Sequence, residues 1–524
     1  MSRSFDVMVL GSEPDALVAA GELGASGKRV LLIEPEHELG GIYRELEFAP
    51  GWRAAPLVPD LGGLDSEAFR AAALPGARVE ADPTVIALGE QGPVTLRRSA
   101  AETAAQLRRV SPRDADRWPK FVQQLAALSG FLAALYREAA PRIDAAAAGE
   151  FLTLLSLGRR YRRLGRSGMV ELLRSLPISA ADWLDDFFES PQLKGALAAL
   201  AVTDLAQGPM SGGTALSFLH RHVGAPPGVI GERLRLKEGP GALIGALTRR
   251  ARAAGVTIET GVAVRELLVK DGRVAAAALG SGEILACRAV VSALDPYHSL
   301  LELVDPACLD PVFAGKVRNI RFRGVTTKIL VALDSLPDSV ARLGDPGPCP
   351  LGVVLIAPSM RYVERAYDAT KYGRSSDEPF IAMQFPSAAQ AGVAPPGRHV
   401  AVLHVQYTPY RLSGGRWSEL RDAVADRALA VVEAHLPGFT SRVRDRAVLT
   451  PPDLESRFGL REGAVSCGEL ALDQMLFMRP VPEAAGDAAA VAGLYLCGAG
   501  AHPGPGIVGA SGRLAARAVL EDLT

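Results

Sequence analysis

The amino-terminal pattern is an apolar run, a polar break, a helical stretch and a second apolar run. Phe5-Asp6-Val7-Met8-Val9-Leu10 reads as a buried parallel strand ended by Gly11, because a strand covered on both faces loses the in–out alternation. From Pro14 to Ser26 apolar residues fall at helical spacing, Leu17, Val18 and Leu23 among them, and Gly27 suits the helix C-terminus. Arg29 to Ile33 is a second apolar strand, followed by Glu34. Together they predict a βαβ unit of about thirty residues, right-handed by the general rule.

The pattern then turns helical from about Ala100 to Leu200, rich in Ala, Leu and Arg and punctuated by Pro177 and Pro191. Near Gly239 the mixed character returns. Ala242 to Ala254 has helical spacing, and Val256-Thr257-Ile258 is a short strand ending near Glu259. Val264–Val269 and Val274–Leu279 are joined through Asp271-Gly272, a hairpin signal. Ala289 to Ala293 is another buried strand, and Gly239-Pro240-Gly241 reads as a structural helix start. Between Phe322 and Val448 strands are frequent (Thr327–Leu333, Phe380–Gln384, His399–Gln406), with a helix over Arg416–Leu436. The last segment, Gly493 to Leu523, runs strand, glycine-rich loop, helix, with the helix expected from about Ile507. No tandem repeat or low-complexity linker interrupts the order.

A chain of 524 residues exceeds one hydrophobic core, so two joined domains are expected. A formal net charge of −1 gives no general attraction to nucleic acid, which excludes that partner class on bulk electrostatics. The five cysteines form no Cys-x-x-Cys pair and their number is odd, which argues against a dithiol centre, a zinc site or a disulfide framework. A reducing, cytoplasmic setting is therefore expected. Phe5–Leu10 is too short for the apolar core of a secretory signal, and no apolar run is long enough to span a bilayer. Arg159, Arg160, Arg162, Arg163 and Arg166 stand beside Leu154, Leu155, Tyr161 and Leu164. Two readings stay open there, a solvated helix face and a peripheral contact with an anionic membrane.

Three stretches carry candidate chemistry. A turn after the first strand, at Gly11-Ser12, leads to a helix N-terminus whose free N–H groups and dipole suit a diphosphate, and Glu34 stands where an acidic residue accepts from an adenosine ribose. Gly40-Gly41 permits close backbone approach to a ligand, or is an ordinary turn. Cys497-Gly498-Ala499-Gly500-Ala501-His502-Pro503-Gly504-Pro505-Gly506-Ile507-Val508-Gly509 can lie flat against a ring system. His502 in that loop is a candidate proton carrier, set against the plainer role of a structural hydrogen-bonder; no catalytic acid or base is assigned.

With Val290 to Pro296, Gln406 to Tyr410, Gly468 to Gln474 and Arg479-Pro480, these stretches stand in an order that resembles the phytoene desaturase-like FAD-dependent oxidoreductases. More narrowly, they resemble the branch of pyridine nucleotide-disulphide oxidoreductase domain-containing proteins. The resemblance implies an α/β, two-domain FAD-binding Rossmann-like fold of the glutathione reductase/amine oxidase type, with a mixed helical and β-sheet substrate domain. It places residues 1–75, 225–300 and 455–524 in a discontinuous FAD-binding domain and 76–224 and 301–454 in the substrate domain. It implies FAD held by Gly11, Ser12, Glu34 (ribose), Gly40 and Gly41 (pyrophosphate and ribityl), Val264 (adenine, through its backbone), Gly500, Gly506, Ile507 and Val508 (flavin and phosphate). The implied reaction is dehydrogenation or isomerisation of an apolar, often isoprenoid, small molecule. Homo- or hetero-oligomers remain open.

One motif departs from that pattern. In place of Gly-x-Gly-x-x-Gly the chain has Gly11-Ser12-Glu13-Pro14-Asp15-Ala16. Glu13 replaces the glycine that lets the backbone touch the pyrophosphate. Ser12-x-x-Asp15 has the form of a capping box, with Pro14 in the first turn, so the helix is expected to satisfy its own N-terminus. Two readings follow: a flavoprotein in which Glu13 turns aside, and a flavin-free relative serving as a partner subunit or apolar-ligand binder.

Overall fold

Strand β1 (Val7–Leu10) is buried on both faces, and its alternation assigns each face a partner. Val7 and Val9 enter the core beneath helix α1 (Pro14–Ala25), while Met8 and Leu10 enter the core on the opposite face. The computed structural model describes residues 3–524 apart from 59–62, 65–77, 91, 141–147, 232–233, 345–346, 348 and 485–490. β1 lies within a five-stranded parallel sheet in the order Thr257–Thr260, β2 (Val30–Glu34), β1, Ala289–Ser292 and Leu494–Leu496. Its strands come from three separated stretches of chain. The expected boundary at residues 75/76 lies outside the described residues.

One face of this sheet carries α1 flanked by the helices Gly241–Ala253 and Ala510–Asp522. Small residues set how closely they pack. A Cβ on Gly24 would lie 2.7 Å from the Ala254 carbonyl oxygen, and one on Gly512 would lie 2.0 Å from that of Asp15. The other face is covered by the antiparallel strands Val264–Lys270, Arg273–Leu279 and Ile284–Ala286, the first two turning at Asp271 and Gly272, both left-handed.

The second sheet has seven strands, in the order Val443–Leu449, Thr326–Leu333, His399–Gln406, Ile381–Gln384, Val353–Ile356, Val85–Leu88 and Val94–Leu96. Pairing is antiparallel except between Val353–Ile356 and Val85–Leu88. Ile329, Val331, Leu403 and Val405 pack with Ala425, Ala428 and Val432 of the Trp417–His435 helix. The opposite face packs against the hairpin of Leu46–Ala49 and Trp52–Ala54 through Leu330, Ala332, Val400 and Val402, and against the helices Pro191–Val202 and Thr214–Arg221 through Val85, Ala87, Val353 and Leu355. The first belongs to the helical stretch expected between Ala100 and Leu200 and the second lies beyond it; both join a bundle whose centre is an aromatic cluster around Phe121, Trp183, Phe188 and Phe218. The last helix starts later than expected. Ile507 and Val508 are extended and pair with Gly63-Leu64, and the helix begins at Ala510 after the left-handed Gly509 (φ 89°). The apolar pair satisfies its backbone on a segment remote in sequence, which a reading of local propensity cannot see.

Candidate cofactor and substrate cavity

The turn after β1 is built around Ser12. Gly11 takes φ 94°, and its N–H reaches the Ile33 carbonyl at 2.9 Å. The buried Ser12 hydroxyl donates to Glu34 Oε2 at 2.5 Å and accepts the Gly40 N–H at 2.8 Å. Glu34 Oε1 accepts the Glu36 N–H at 3.1 Å. One hydroxyl thus ties the first turn, the acidic end of β2 and the Gly40-Gly41 corner, where both glycines are left-handed. Burial raises the Glu34 carboxyl above its ordinary range, against the Ser12 bond. The chain returns past this carboxylate at Val262, whose N–H reaches the Glu34 carbonyl at 3.2 Å, and Val264 opens the next strand with its side chain against the apolar cluster.

The expected capping box does not form. The N-cap of α1 is Glu13, with no side-chain cap, and Ser12 is already committed to Glu34 and Gly40. Asp15 instead caps a different helix. Its Oδ1 accepts the Ser511 hydroxyl at 2.7 Å and the Gly512 N–H at 3.0 Å, at the start of the C-terminal helix. Glu13 lies across the Gly40-Gly41 corner, where Oε1 accepts the Ile42 N–H at 3.5 Å. A Cβ on Gly41 would sit 2.7 Å from Glu13 Cγ, so the glycine makes room for this side chain. Burial pushes the Glu13 carboxyl up to about 7, with the Ile42 bond opposing and Asp15 and Glu34 adding to the rise. Burial also raises Asp15. Carboxyl groups thus stand at the N-termini of α1 and of the C-terminal helix.

The glycine-rich loop is held by a buried arginine. Arg479 donates from Nε and Nη2 to the Ala499 carbonyl at 2.9 and 2.6 Å, and from Nη1 to the carbonyls of Glu469 and Gln474 at 3.1 and 3.0 Å. His220 holds the other end, with Nε2 2.8 Å from the Pro505 carbonyl and Nδ1 2.9 Å from the Tyr136 hydroxyl. The carbonyl requires a proton on Nε2, so Nδ1 accepts from the tyrosine; burial lowers the ring to about 3 and keeps it neutral. Gly500 packs against Pro296, where an added Cβ would lie 2.5 Å from Cδ. His502 packs edge-on against Tyr136 at 5.7 Å and approaches the Leu476 carbonyl, away from the cavity described next.

A cavity of about 340 Å³ joins these parts to the second sheet. At one end stand Glu13 and Asp15, partly exposed into it; along it run Gly504 to Val508. Of the expected cofactor residues it touches Gly506, Ile507 and Val508, whereas Gly11, Ser12, Glu34, Gly40, Gly41, Val264 and Gly500 lie beyond it. The far end was not singled out from the sequence. Lys328 and His404 are directly paired on neighbouring strands, both nearly buried, with Lys328 Nζ 2.9 Å from His404 Nδ1. Gln406 donates its amide to the carbonyls of Val202 and Leu205 and presents Oε1 to His404 Nε2 at 2.8 Å, so Nε2 carries the proton and Nδ1 accepts from lysine. Asp204, left-handed at φ 59°, lies 3.7 Å from His404 Nδ1 and accepts the Thr326 hydroxyl at 3.1 Å. A lysine inside Thr-Thr-Lys-Ile-Leu-Val-Ala-Leu is the signal that marks this end, since an apolar strand seldom holds a charge without a function or a partner.

The flavin-containing amine oxidoreductases match residues 75–520. The chain belongs to that family. It is similar to a rat pyridine nucleotide-disulfide oxidoreductase domain-containing protein 2, 33% identical over 100% of this chain and 94% of its own, and to a lycopene-forming phytoene desaturase of Pseudescherichia vulneris, 26% identical over 54% of this chain and 56% of its own. Among solved structures, an oxidoreductase from Methanosarcina mazei superposes with a TM-score of 0.61 at 17% identity, covering 98% of this chain and 100% of its own, which shows the shared fold. The resemblance read from the motifs is thereby established, with its α/β fold, and the family supports FAD as the cofactor.

The residues of this family member fit FAD at two ends. Glu34, which accepts from Ser12, would meet the ribose, and the Gly504–Val508 loop, which borders the cavity, would meet the flavin ring. Between them Glu13 occupies the route along Gly41 that a diphosphate would follow. A diphosphate on that route would require the Glu13 side chain to turn aside. Among the described residues no cluster of His, Cys, Asp and Glu is arranged for a metal, and no helix is long and apolar enough to cross a membrane.

Proposed function

We propose that the chain is an FAD-dependent oxidoreductase that dehydrogenates or isomerises an apolar small molecule held between the two sheets. The observation that carries this is the single cavity reaching from the first turn of α1, past Gly506–Val508, to the second sheet. Leu57, Val58, Leu200, Val353 and Val402 give it apolar walls suited to such a substrate. When bound, FAD supplies the hydride acceptor. The chain's own residues position and exclude: Arg479 and His220 fix the loop, and the apolar walls keep water from the reacting carbon. The exposed face of the helices Ala148–Arg163 and Gly165–Ser175, which carries Arg159, Arg160 and Arg163 beside exposed Leu155, Val170 and Leu173, suits uptake of such a substrate from an anionic membrane.

The test is the visible spectrum of the purified protein, followed by FAD titration and anaerobic addition of isoprenoid alkenes. Stoichiometric flavin that bleaches on addition supports the proposal. A second reading, a flavin-free partner subunit or apolar-ligand binder, draws on the carboxyl groups of Glu13 and Asp15 at both helix N-termini. A protein that stays colourless with excess FAD would establish it in place of the first.

A further inference from the structure

Lys328 and Asp204 line the same end of the cavity with opposite charges and do not meet. Among the described residues no ion pair or hydrogen bond joins them. His404 stands between, its Nδ1 2.9 Å from Lys328 Nζ and 3.7 Å from Asp204 Oδ1. The imidazole is neutral near pH 7, because burial, with Lys328 beside it, lowers it to about 4. Both of its nitrogens are taken, Nδ1 by Lys328 and Nε2 by Gln406. Gln406 Oε1 also accepts the Asp204 N–H at 2.9 Å, so one amide fixes the imidazole and the left-handed Asp204 backbone relative to each other.

Each charged group has bonding capacity left over. Lys328 is 4% exposed, and its one side-chain hydrogen bond is to His404. An ammonium has three N–H donors, so two are directed elsewhere than the imidazole. Asp204 Oδ1 accepts the Thr326 hydroxyl, and among the described residues nothing donates to Oδ2. The Asp204 side chain is 20% exposed, on the cavity wall. Buried donors and acceptors are costly to leave unmet, so the pair favours a group that serves both. A carboxylate accepts from Lys328 but is repelled by Asp204, and an ammonium donates to Asp204 but is repelled by Lys328. A ketone or an ether accepts and has nothing to donate. A hydroxyl does both and carries no charge.

We infer that the second-sheet end of the cavity binds the hydroxyl group of an otherwise apolar ligand, which accepts from Lys328 Nζ and donates to Asp204 Oδ2, with the apolar body lying along Leu200, Val353 and Val402 toward the glycine-rich loop. This rests on the proposed function for the role of the ligand as substrate, while the hydroxyl site itself is built from side chains of this chain alone. The substrate is then an apolar alcohol, not a pure hydrocarbon. Its hydroxyl end is fixed at the second sheet, and its far end extends toward Gly504–Val508.

The experiment is calorimetric titration of the full chain with decan-1-ol, its methyl ether and decanoate, in parallel with FAD titration of the same preparation. The alcohol is expected to bind at least tenfold more tightly than the ether or the acid, a contrast read on the wild-type chain alone. The double variant Lys328→Met/Asp204→Asn removes both charges together, so neither is left buried without the other. It should bring the alcohol within threefold of the ether and leave the ether as in wild type. Equal wild-type binding of alcohol and ether, the result expected if a water bridges the pair instead, overturns the inference. So does tighter binding of decanoate, absence of alcohol binding, or a double variant that keeps the full preference for the alcohol. Alcohol-selective binding by a chain that refuses FAD leaves this site intact and removes only the oxidoreductase reading. A flavin bleached by an alkene in a chain without preference for the alcohol does the reverse.

Discussion

Replacing Glu13 separates the charge at the first turn from its bulk. Glu13→Gln keeps the side chain's size and removes the carboxylate; Glu13→Gly removes both. Two unit charges ~4 Å apart interact by about 1 kcal/mol in water and about 4 kcal/mol at an effective dielectric near 20. Glu13 is only partly exposed, and into a cavity, so the repulsion of a diphosphate belongs toward the upper figure, roughly a thousandfold in affinity. Protonation moderates this. Burial raises the carboxyl to about 7, so it is mainly neutral at pH 5.5 and mainly charged at pH 8. Wild-type affinity for FAD should therefore fall as pH rises through 7. By titration of FAD fluorescence, Glu13→Gln should gain ten- to a thousandfold at pH 8 and little at pH 5.5, and Glu13→Gly should gain at both because it also clears the route along Gly41. Identical titrations of wild type and Glu13→Gln at pH 8 would refute the electrostatic reasoning, and no gain for Glu13→Gly at pH 5.5 would refute the steric part.

The same carboxyl sets a stability slope. Its folded-state value of about 7 lies above the ordinary 4.5, so the folded chain holds the proton more tightly than the unfolded one. Stability should fall as pH rises from about 4.5 to about 7, and thermal melts of Glu13→Gln should show a shallower decline. Asp15→Ala should remove the cap from the C-terminal helix and leave the Gly512 N–H unpaired, a loss of about 1–3 kcal/mol readable in urea unfolding. Arg479→Met, which deprives several carbonyls of a buried donor, should cost about 3 kcal/mol or more in the same assay. The double reversal Arg160→Glu/Arg163→Glu should abolish co-flotation with vesicles rich in phosphatidylserine; retention of binding would remove the basic face as a membrane contact.

What the sequence disclosed and what it withheld divide by range. The βαβ unit, the Asp271-Gly272 hairpin and the helical bundle are written in short periodic patterns, and the structure has them in place. Glu34 and Gly40-Gly41 were legible as candidates because their spacing from the first strand is local. Their junction through Ser12 was not, since a serine after a turn glycine reads equally well as a cap. Asp15 was misread for the same reason: its partner Gly512 lies 497 positions away, so the capping-box form in Ser12-x-x-Asp15 was the only local pattern to follow. Lys328 and His404 meet only through the register of two strands 76 positions apart, which no single-segment pattern reports. The loop glycines divide likewise: Gly506 faces the cavity, while Gly500 is small because Pro296 presses on it.

The seating of Gly512 on the Asp15 carbonyl has a consequence for how the polypeptide is made. The first helix cannot reach its final packing until a helix of thirteen residues, whose Gly512 lies 497 positions beyond Asp15, has been made and laid against it. Nor is the first sheet complete before Leu494–Leu496 arrives. The first βαβ unit must therefore wait, half assembled, until those residues have been made, and a premature stop near residue 490 would release a product in which that unit lacks both its last strand and its covering helix.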